Sequence, residues 1–351
     1  MMARFQKDMG DSVGSFGGHE LVAERVPTGL FEFDLATGGG FPRGMCSIVY
    51  GPESSNKTNQ LLLAIKMNQW LRPKETNVYI AIEPFDKPWA KKLGVDVDKL
   101  AVLYPSYAEQ AVDIAEGFLN AEDCGVVGVD SLAAMITTAE AEKSADGNTP
   151  GGPGLVIGKL VRKTALALRE AEKAGRSPTL IYINQIRHKI GVMYGSPESM
   201  PGGFAPLFQA QLRVRVHGKP VTDTKIHDTI PVLREVTFMV KKNKVPIIAD
   251  NGMYKMVTYP HSGLQLGETD DFSTIAAYLE KFGAWEKLKK GYSILGETYL
   301  TQDAFKTRLY GDKAFGIDVR QGIILRALAD HEEKLVVEEA TSIDADGVVA
   351  E

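Results

Sequence analysis

Eight residues between an apolar run and a helical pattern carry the first chemical signal: Gly51, Pro52, Glu53, Ser54, Ser55, Asn56, Lys57 and Thr58. In a loop of this kind backbone N–H groups wrap phosphate oxygens and the helix N-terminus behind them adds positive dipole. The lysine reaches the outer phosphates and the threonine hydroxyl ligates magnesium. One position departs from the pattern G-x-x-x-x-G-K-[ST], because Asn56 stands where the second glycine belongs. Asparagine enters the left-handed backbone region more readily than most residues, so the loop is expected to close all the same.

Other strand ends hold side chains that such a loop would use. Val126-Val127-Gly128-Val129-Asp130-Ser131 is an apolar strand ending in a carboxylate, the pattern of an aspartate that holds the magnesium shell. Glu83 follows the strand-like run Val78–Ile82, and Asn184 and Gln185 follow Thr179–Ile183. One polar residue at a strand end is usually solvated or caps a helix. Four polar ends are different, because an open parallel sheet binds its ligands outside the carboxyl ends of its strands. With Asp130 and Thr58 serving the metal, Glu83 is the spare carboxylate that could orient or deprotonate water. Gln185 is neutral and suits a γ-phosphate sensor better than a base.

The elements that must position these groups read as an α/β fold. From about residue 25 to 267 short β-branched runs alternate with longer helical patterns, predicting a mostly parallel central sheet flanked by helices. The clearest strands are Ser47–Tyr50, Val78–Ile82, Val126–Asp130, Thr179–Ile183 and Leu212–Val216. Helices are expected over Thr58–Leu71, Glu109–Ala121 and Leu155–Ala174. After residue 268 the pattern changes to three short helices, Thr274–Phe282, Thr301–Tyr310 and Asp318–Glu333. They would form a small α-rich C-terminal domain ending near residue 333. Residues 1–24 are rich in glycine and serine and read as a flexible lead segment, and 334–351 as a disordered acidic tail. The stretches Gly147–Gly154 and Gly191–Gly203 read as long loops within the core, where such loops are more often functional than idle.

Composition narrows the class without naming the ligand. Apolar residues make up 44% and charged residues 24% of 351, ordinary for a globular protein with a sizeable core. The net charge of −5 is concentrated at the C-terminus, where seven acids face Lys334 alone, so residues 1–330 are close to neutral. Charge therefore neither argues for nucleic acid nor excludes it. Cys46 and Cys124 are far apart, with no C-x-x-C partner, and read as reduced core residues of a cytoplasmic protein. No signal-like or membrane-length apolar run occurs.

With these motifs in place the sequence resembles the RecA family of recombination proteins. Gly51 to Thr58 matches the bacterial family's phosphate loop at all positions but Asn56, and Ala90-Lys-Lys-Leu-Gly-Val-Asp96 resembles the run after its catalytic glutamate. Ile183-Asn-Gln-Ile-Arg-x-Lys-Ile-Gly-Val-Met-Tyr-Gly195, with Pro197-Glu198 and Gly202-Gly203, is similar to its second DNA-binding loop and the strand before it. Lys242-Asn243-Lys244 resembles its late lysine pair. The matches span about 25–260, and the altered loop points to a bacteriophage member.

The resemblance implies a RecA-like ATPase core that takes ATP and Mg2+, forms helical homopolymers on single-stranded DNA and pairs it with homologous duplex. It makes Glu83 the catalytic glutamate, Gln185 the switch to the DNA loop, and Trp89 the aromatic against adenine. Lys242 and Lys244 would reach the ATP of a neighbouring subunit. DNA contacts would come from Gly147–Gly154 and Ile186–Gly203: Arg187 and Lys189 on phosphates, Met193 and Tyr194 between bases, and Gly202 and Gly203 allowing close backbone approach. Lys159 and Arg162 follow the first loop as further candidates. Single-strand-binding and mediator proteins are implied partners. Residues 1–20 do not read as the family's polymerising helix, so assembly is expected through the core or a short strand around Glu20–Val26. Two other readings stand beside this one: a RecA-fold ATPase of another class, such as a ring helicase, and an ATP-gated DNA filament with little hydrolysis.

Overall fold

The computed structural model describes residues 24–143, 152–188, 198–203, 205–244, 247–261 and 263–346. Its first strands are β1 (Arg25–Val26), β2 (Phe41–Pro42), β3 (Cys46–Gly51), β4 (Thr76–Ala81), β5 (Leu100–Leu103), β6 (Cys124–Asp130) and β7 (Thr179–Gln185). There follow β8 (Arg187–His188), β9 (Glu198–Ser199), β10 (Leu212–Val221), β11 (Leu233–Asn243) and β12 (Asn251–Val257). Eight of them form one sheet in the order β12-β11-β10-β3-β7-β6-β4-β5, parallel from β10 to β5 and antiparallel at β11 and β12.

The parallel strands are apolar without alternation because both of their faces are covered. The helices of the core are α1 (Phe31–Ala36), α2 (Lys57–Leu71), α3 (Lys87–Lys92), α4 (Ala108–Leu119), α5 (Thr138–Ala141), α6 (Gly152–Lys173) and α7 (Ala205–Gln209). On one face Leu61, Leu63 and Ile65 of α2 pack with Val49, Val126 and Ile181. On the other, Ala111 and Val112 of α4 and Leu160 of α6 pack with Ile48, Val127 and Leu180. Neighbouring residues of one strand thus serve opposite layers, as the strand period requires. Close approach of α2 needs a glycine in β6, since a Cβ on Gly128 would lie 2.5 Å from both methyls of Leu61.

The C-terminal region contains α8 (Phe272–Lys281), β13 (Trp285–Lys287), β14 (Tyr292–Ile294), β15 (Glu297–Tyr299), α9 (Gln302–Gly311) and α10 (Lys313–Asp346). Three antiparallel strands therefore interrupt the expected helices, each too short for a period-2 pattern to declare itself. Instead of stopping near residue 333, α10 continues helical to Asp346. The segment read as a disordered tail holds no glycine or proline before Gly347, so nothing in it breaks the helix. Phe31 and Leu35 of α1 join the C-terminal core around Phe305 and Val319, while Phe33 and Ala36 join the sheet core, so α1 fastens the two together.

Two other expectations are adjusted and a third is met. Gly152, Pro153 and Gly154 form the first turn of α6 rather than loop, a position that tolerates proline; Gly147–Gly151 lie outside the described residues. Of the short strand expected around Glu20–Val26, Arg25–Val26 is a strand paired with β2, and residues 20–23 lie outside the described residues. Both cysteines are buried free thiols, and burial pushes their pKa values up, to about 12 for Cys124.

Candidate functional site

The loop after β3 closes as its sequence requires. Gly51 admits no side chain, because a Cβ there would lie 2.1 Å from the Val216 carbonyl oxygen on β10. Ser54 and Asn56 take left-handed backbone, with φ of +56° and +76°, and α2 starts directly after Asn56. The Lys57 ammonium lies over the loop and donates to the Gly51 carbonyl at 3.2 Å, the Pro52 carbonyl at 2.5 Å and Ser55 Oγ at 3.3 Å. Burial lowers its pKa, opposed by Asp130, Glu83 and Glu53. Thr58 Oγ1 donates to Asp130 Oδ2 at 2.6 Å and Tyr79 OH donates to the same oxygen at 2.7 Å. Burial raises the Asp130 pKa and Glu83 adds to this, while the two hydrogen bonds and Lys57 pull it down.

Glu83 is held between two strand ends. The N–H groups of Ile82 and Glu83 both donate to the Asp130 carbonyl, at 2.8 and 3.1 Å, which turns the chain after β4 toward β6. Ser131, joined to Asp130 by a cis peptide, donates its hydroxyl to Glu83 Oε1. The Gln185 amide donates to the same oxygen at 3.0 Å. Among the described residues no hydrogen bond to Oε2 is recorded. The next residue, Ile186, donates its N–H to the Gly51 carbonyl at 3.2 Å, and Asn184 donates its amide to the Pro201 carbonyl at 3.0 Å. The end of β7 thus touches the carboxylate, the phosphate loop and, at Pro201, the returning limb of the candidate second DNA loop.

The cleft over the phosphate loop is about 250 Å³ and is lined by Ser54 to Asn59, Trp89, Arg234 and Thr258. Trp89 stands on α3, whose first turn is capped by Asp86 accepting from the Trp89 N–H at 2.9 Å. Sequence reasoning placed Trp89 here but missed Asn59, Arg234 and Thr258. Arg234 donates to the Ser54 carbonyl from β11, 180 residues away in the chain. A larger cavity of about 350 Å³ lies between α2 and the C-terminal region, lined by Lys66, Trp70 and Lys313 among others. It holds none of the phosphate-loop residues.

Among the described candidate DNA residues, Lys159 and Arg162 lie exposed on α6 and Gly202 lies against it. Gly202 and Gly203 both have positive φ, +86° and +65°, and a Cβ on Gly202 would lie 2.7 Å from Ile157 of α6. The base of the second loop therefore packs on the helix that follows the first. The β8–β9 pair, Arg187 opposite Ser199, closes that base. The Arg187 side chain and all of Lys189, Met193 and Tyr194 lie outside what the structure describes.

Lys242 and Lys244 sit away from their own chain's cleft. Lys242 pairs with Arg213, which is level with Ile48 in β3, and the Lys244 N–H bonds Gln211 beside the start of that strand. The phosphate loop leaves the other end of β3. Lys242 Nζ donates to the Phe208 carbonyl at 2.6 Å, and Phe208 itself is 76% exposed. Burial lowers the Lys242 pKa, helped by Lys244 and Arg213.

A mostly parallel sheet whose central strand feeds a phosphate loop, with an aspartate and a second carboxylate on neighbouring strand ends, defines a P-loop ATPase. Within that class the chain belongs to the RecA family of ATP-dependent DNA recombination and repair proteins: the family's RecA N-terminal domain matches residues 2–257. Protein RecA of Mesoplasma florum is 32% identical over 275 residues, 78% of this chain and 79% of that protein. Protein RecA of Caulobacter vibrioides is 36% identical over 268 residues, 76% and 72% of the two chains. Protein RecA of Aquifex pyrophilus reaches 42% over 203 residues, 56% and 55%. These relatives are bacterial and lend no support to the bacteriophage origin expected from Asn56. The family match ends with β12, so it covers the sheet and not the C-terminal region. No described helix is long and apolar enough to cross a membrane.

Proposed function

We propose that the protein assembles on single-stranded DNA as an ATP-bound helical filament, pairs that strand with homologous duplex and hydrolyses ATP to release the product. The observation that carries this reading is the contact of Gln185 with Glu83 at 3.0 Å, made by the residue that leads into the second DNA loop. A carboxylate beside the phosphate loop and a DNA-binding segment are thereby joined by one hydrogen bond.

Each group has a task its surroundings support. Loop N–H groups and Lys57 bind the β- and γ-phosphates of ATP, and Trp89 takes the base. Thr58 Oγ1 and Asp130 Oδ2, 2.6 Å apart, are hard oxygen donors suited to Mg2+. The bound ion would neutralise charge on the bridging phosphate oxygens. Glu83 orients a water and accepts its proton as the water oxygen bonds the γ-phosphorus and ADP leaves. With Oε1 held by Ser131 and Gln185, Oε2 is the oxygen free to do so. Lys242 and Lys244, toward the opposite end of the sheet from their own loop, would serve the ATP of the next subunit, which would place each active site at a filament interface. Lys159, Arg162, Arg187 and Lys189 bind DNA phosphates and Met193 and Tyr194 stack on bases, so DNA is read by backbone and stacking. Work on ATP and DNA belongs in the cytoplasm, alongside single-strand-binding and mediator proteins.

ATP hydrolysis with and without single-stranded DNA, with Lys57→Ala as control, tests the reading. Stimulation by DNA that Lys57→Ala abolishes is the expected result. Turnover indifferent to DNA would sink the coupling through Gln185. No turnover at all would leave an ATP-gated filament in place of an ATPase.

A further inference from the structure

Asn56 does more than adopt a glycine's backbone. Its side chain is 6% exposed and its amide stands in the middle of a hydrogen-bonded chain. Nδ2 donates to Tyr254 OH at 3.1 Å and contacts Met256 Sδ at 3.5 Å, both on β12. Oδ1 accepts from Asn59 Nδ2 at 2.6 Å, and Asn59 Oδ1 accepts from the Trp89 indole N–H at 2.8 Å. Gln60 Nε2 also donates to Tyr254 OH, at 2.8 Å. Tyr254 is a fixed anchor: it is 1% exposed and packs against Phe238 at 6.3 Å between ring centroids.

A glycine at position 56 would leave two separate pairs, Trp89 with Asn59 and Tyr254 with Gln60. With asparagine the chain runs unbroken from the buried strand β12, beneath the phosphate loop, to a ring on a six-residue surface helix. That ring lines the same cleft as the loop. A side chain held in its binding orientation loses less freedom when a ligand arrives.

We propose that Asn56 is a positioning residue that locks the Trp89 indole to the phosphate loop, so that the two ends of the cleft hold base and triphosphate as one rigid unit. The proposal rests on the nucleotide reading of this cleft. Its substance is a coupling between Asn56 and Trp89, two residues that share no hydrogen bond and communicate through Asn59.

Calorimetric titration of the full-length protein tests it, using MgATP and, as a probe without a base, magnesium tripolyphosphate. The proteins are wild type, Asn56→Gly, Asn59→Ala, Trp89→Phe and the Asn56→Gly/Trp89→Phe double variant. Each single variant is expected to weaken ATP about fivefold, the size of one modest hydrogen bond. Tripolyphosphate affinity should change by less than about twofold, because the loop backbone stays in place. The double variant should bind ATP about as well as the weaker single, since either change cuts the same chain. Additive losses, near twenty-five-fold in the double, would overturn the coupling, as would equal losses for both probes or wild-type ATP affinity in Asn56→Gly. Wild-type protein that binds neither probe would remove the nucleotide reading itself, an outcome distinct from those. Asn59→Ala keeps the test decisive should the Asn56 variant fold poorly, because it cuts the chain without touching the left-handed residue.

Discussion

Gln185 Nε2 donates to Glu83 Oε1 across 3.0 Å, joining the last residue of β7 to the carboxylate just past the end of β4. Between those strands lies β6, whose end supplies Ser131 to the same oxygen. A movement of the chain after Gln185 therefore alters the hold on the Glu83 carboxylate, the proposed base, without any longer relay. The Ile186 N–H bond to Gly51 gives the same movement a second route, to the phosphate loop.

Gln185→Ala should separate nucleotide binding from DNA response. The amide touches Glu83 and not the phosphate loop, so ATP affinity is expected to stay within about threefold, while stimulation of turnover by single-stranded DNA falls about tenfold or more. Steady-state hydrolysis against DNA concentration, with ATP binding measured separately, reads both. Full stimulation in the variant would assign the coupling to the Ile186 backbone bond instead.

Glu83→Gln keeps the shape and an acceptor oxygen for Ser131 and Gln185 but removes the base. Turnover should fall by about 10²–10⁴, the usual worth of general-base catalysis. Filaments on single-stranded DNA with ATP should persist and last longer, visible by electron microscopy. Turnover near wild type would show that another group activates the water.

Much of this architecture is legible in the sequence, for physical reasons that also explain the rest. Strands β3, β6 and β7 are covered on both faces, so their apolar runs stand out, and their polar ends are the phosphate loop, Asp130-Ser131 and Asn184-Gln185. Asn56 could be read as left-handed because backbone preference is local. Its contacts with Tyr254 and Met256 could not, being set by how β12 lies against α2, 200 residues along the chain. Arg234 and Thr258 escaped for the same reason: they enter the cleft from the antiparallel strands and carry no motif. The three-residue strands β13 to β15 are shorter than any pattern a period-2 reading detects, and the helical continuation through residues 334–346 was masked by the density of acidic residues.

Stability should decline as pH rises through the range set by Glu32. Burial, then the like charge of Asp271, pushes this carboxyl up to about 7, with Thr274 and Arg320 pulling the other way. Its Oε2 is buried without a partner among the described residues. The folded chain keeps a proton that the unfolded chain releases above about 4.5. The contribution is thus fully present below that pH and is lost as pH climbs toward 7, amounting to about 2–3 kcal/mol. Urea unfolding at pH 5 and pH 8 checks it: Glu32→Gln should lose less stability than wild type across the interval. Parallel curves for the two proteins would show that Glu32 is ionised in the fold.

The spacing of Gly128 and Leu61 sets how deeply α2 seats on the sheet, and α2 begins with Lys57. A Cβ at position 128 would meet both Leu61 methyls at 2.5 Å. Either the leucine must leave its rotamer or the helix must lift. Gly128→Ala is expected to destabilise the protein by about 1–3 kcal/mol in urea unfolding, the usual cost of overpacking. Leu61→Ala alone opens a cavity and should cost about 2–5 kcal/mol. Combined, the added methyl sits where the removed ones stood, so the double variant should be less destabilised than the two losses added together. Simple additivity would show that the strand, and not α2, gives way at this contact. A lifted helix also moves Lys57 and Thr58 relative to Asp130, whose strand is fixed at Gly128. Gly128→Ala should therefore weaken MgATP binding, and Leu61→Ala in the same chain should restore part of it. Recovery of stability without recovery of binding would mean that the phosphate loop is set by Gly51 and β10 rather than by the seat of its helix.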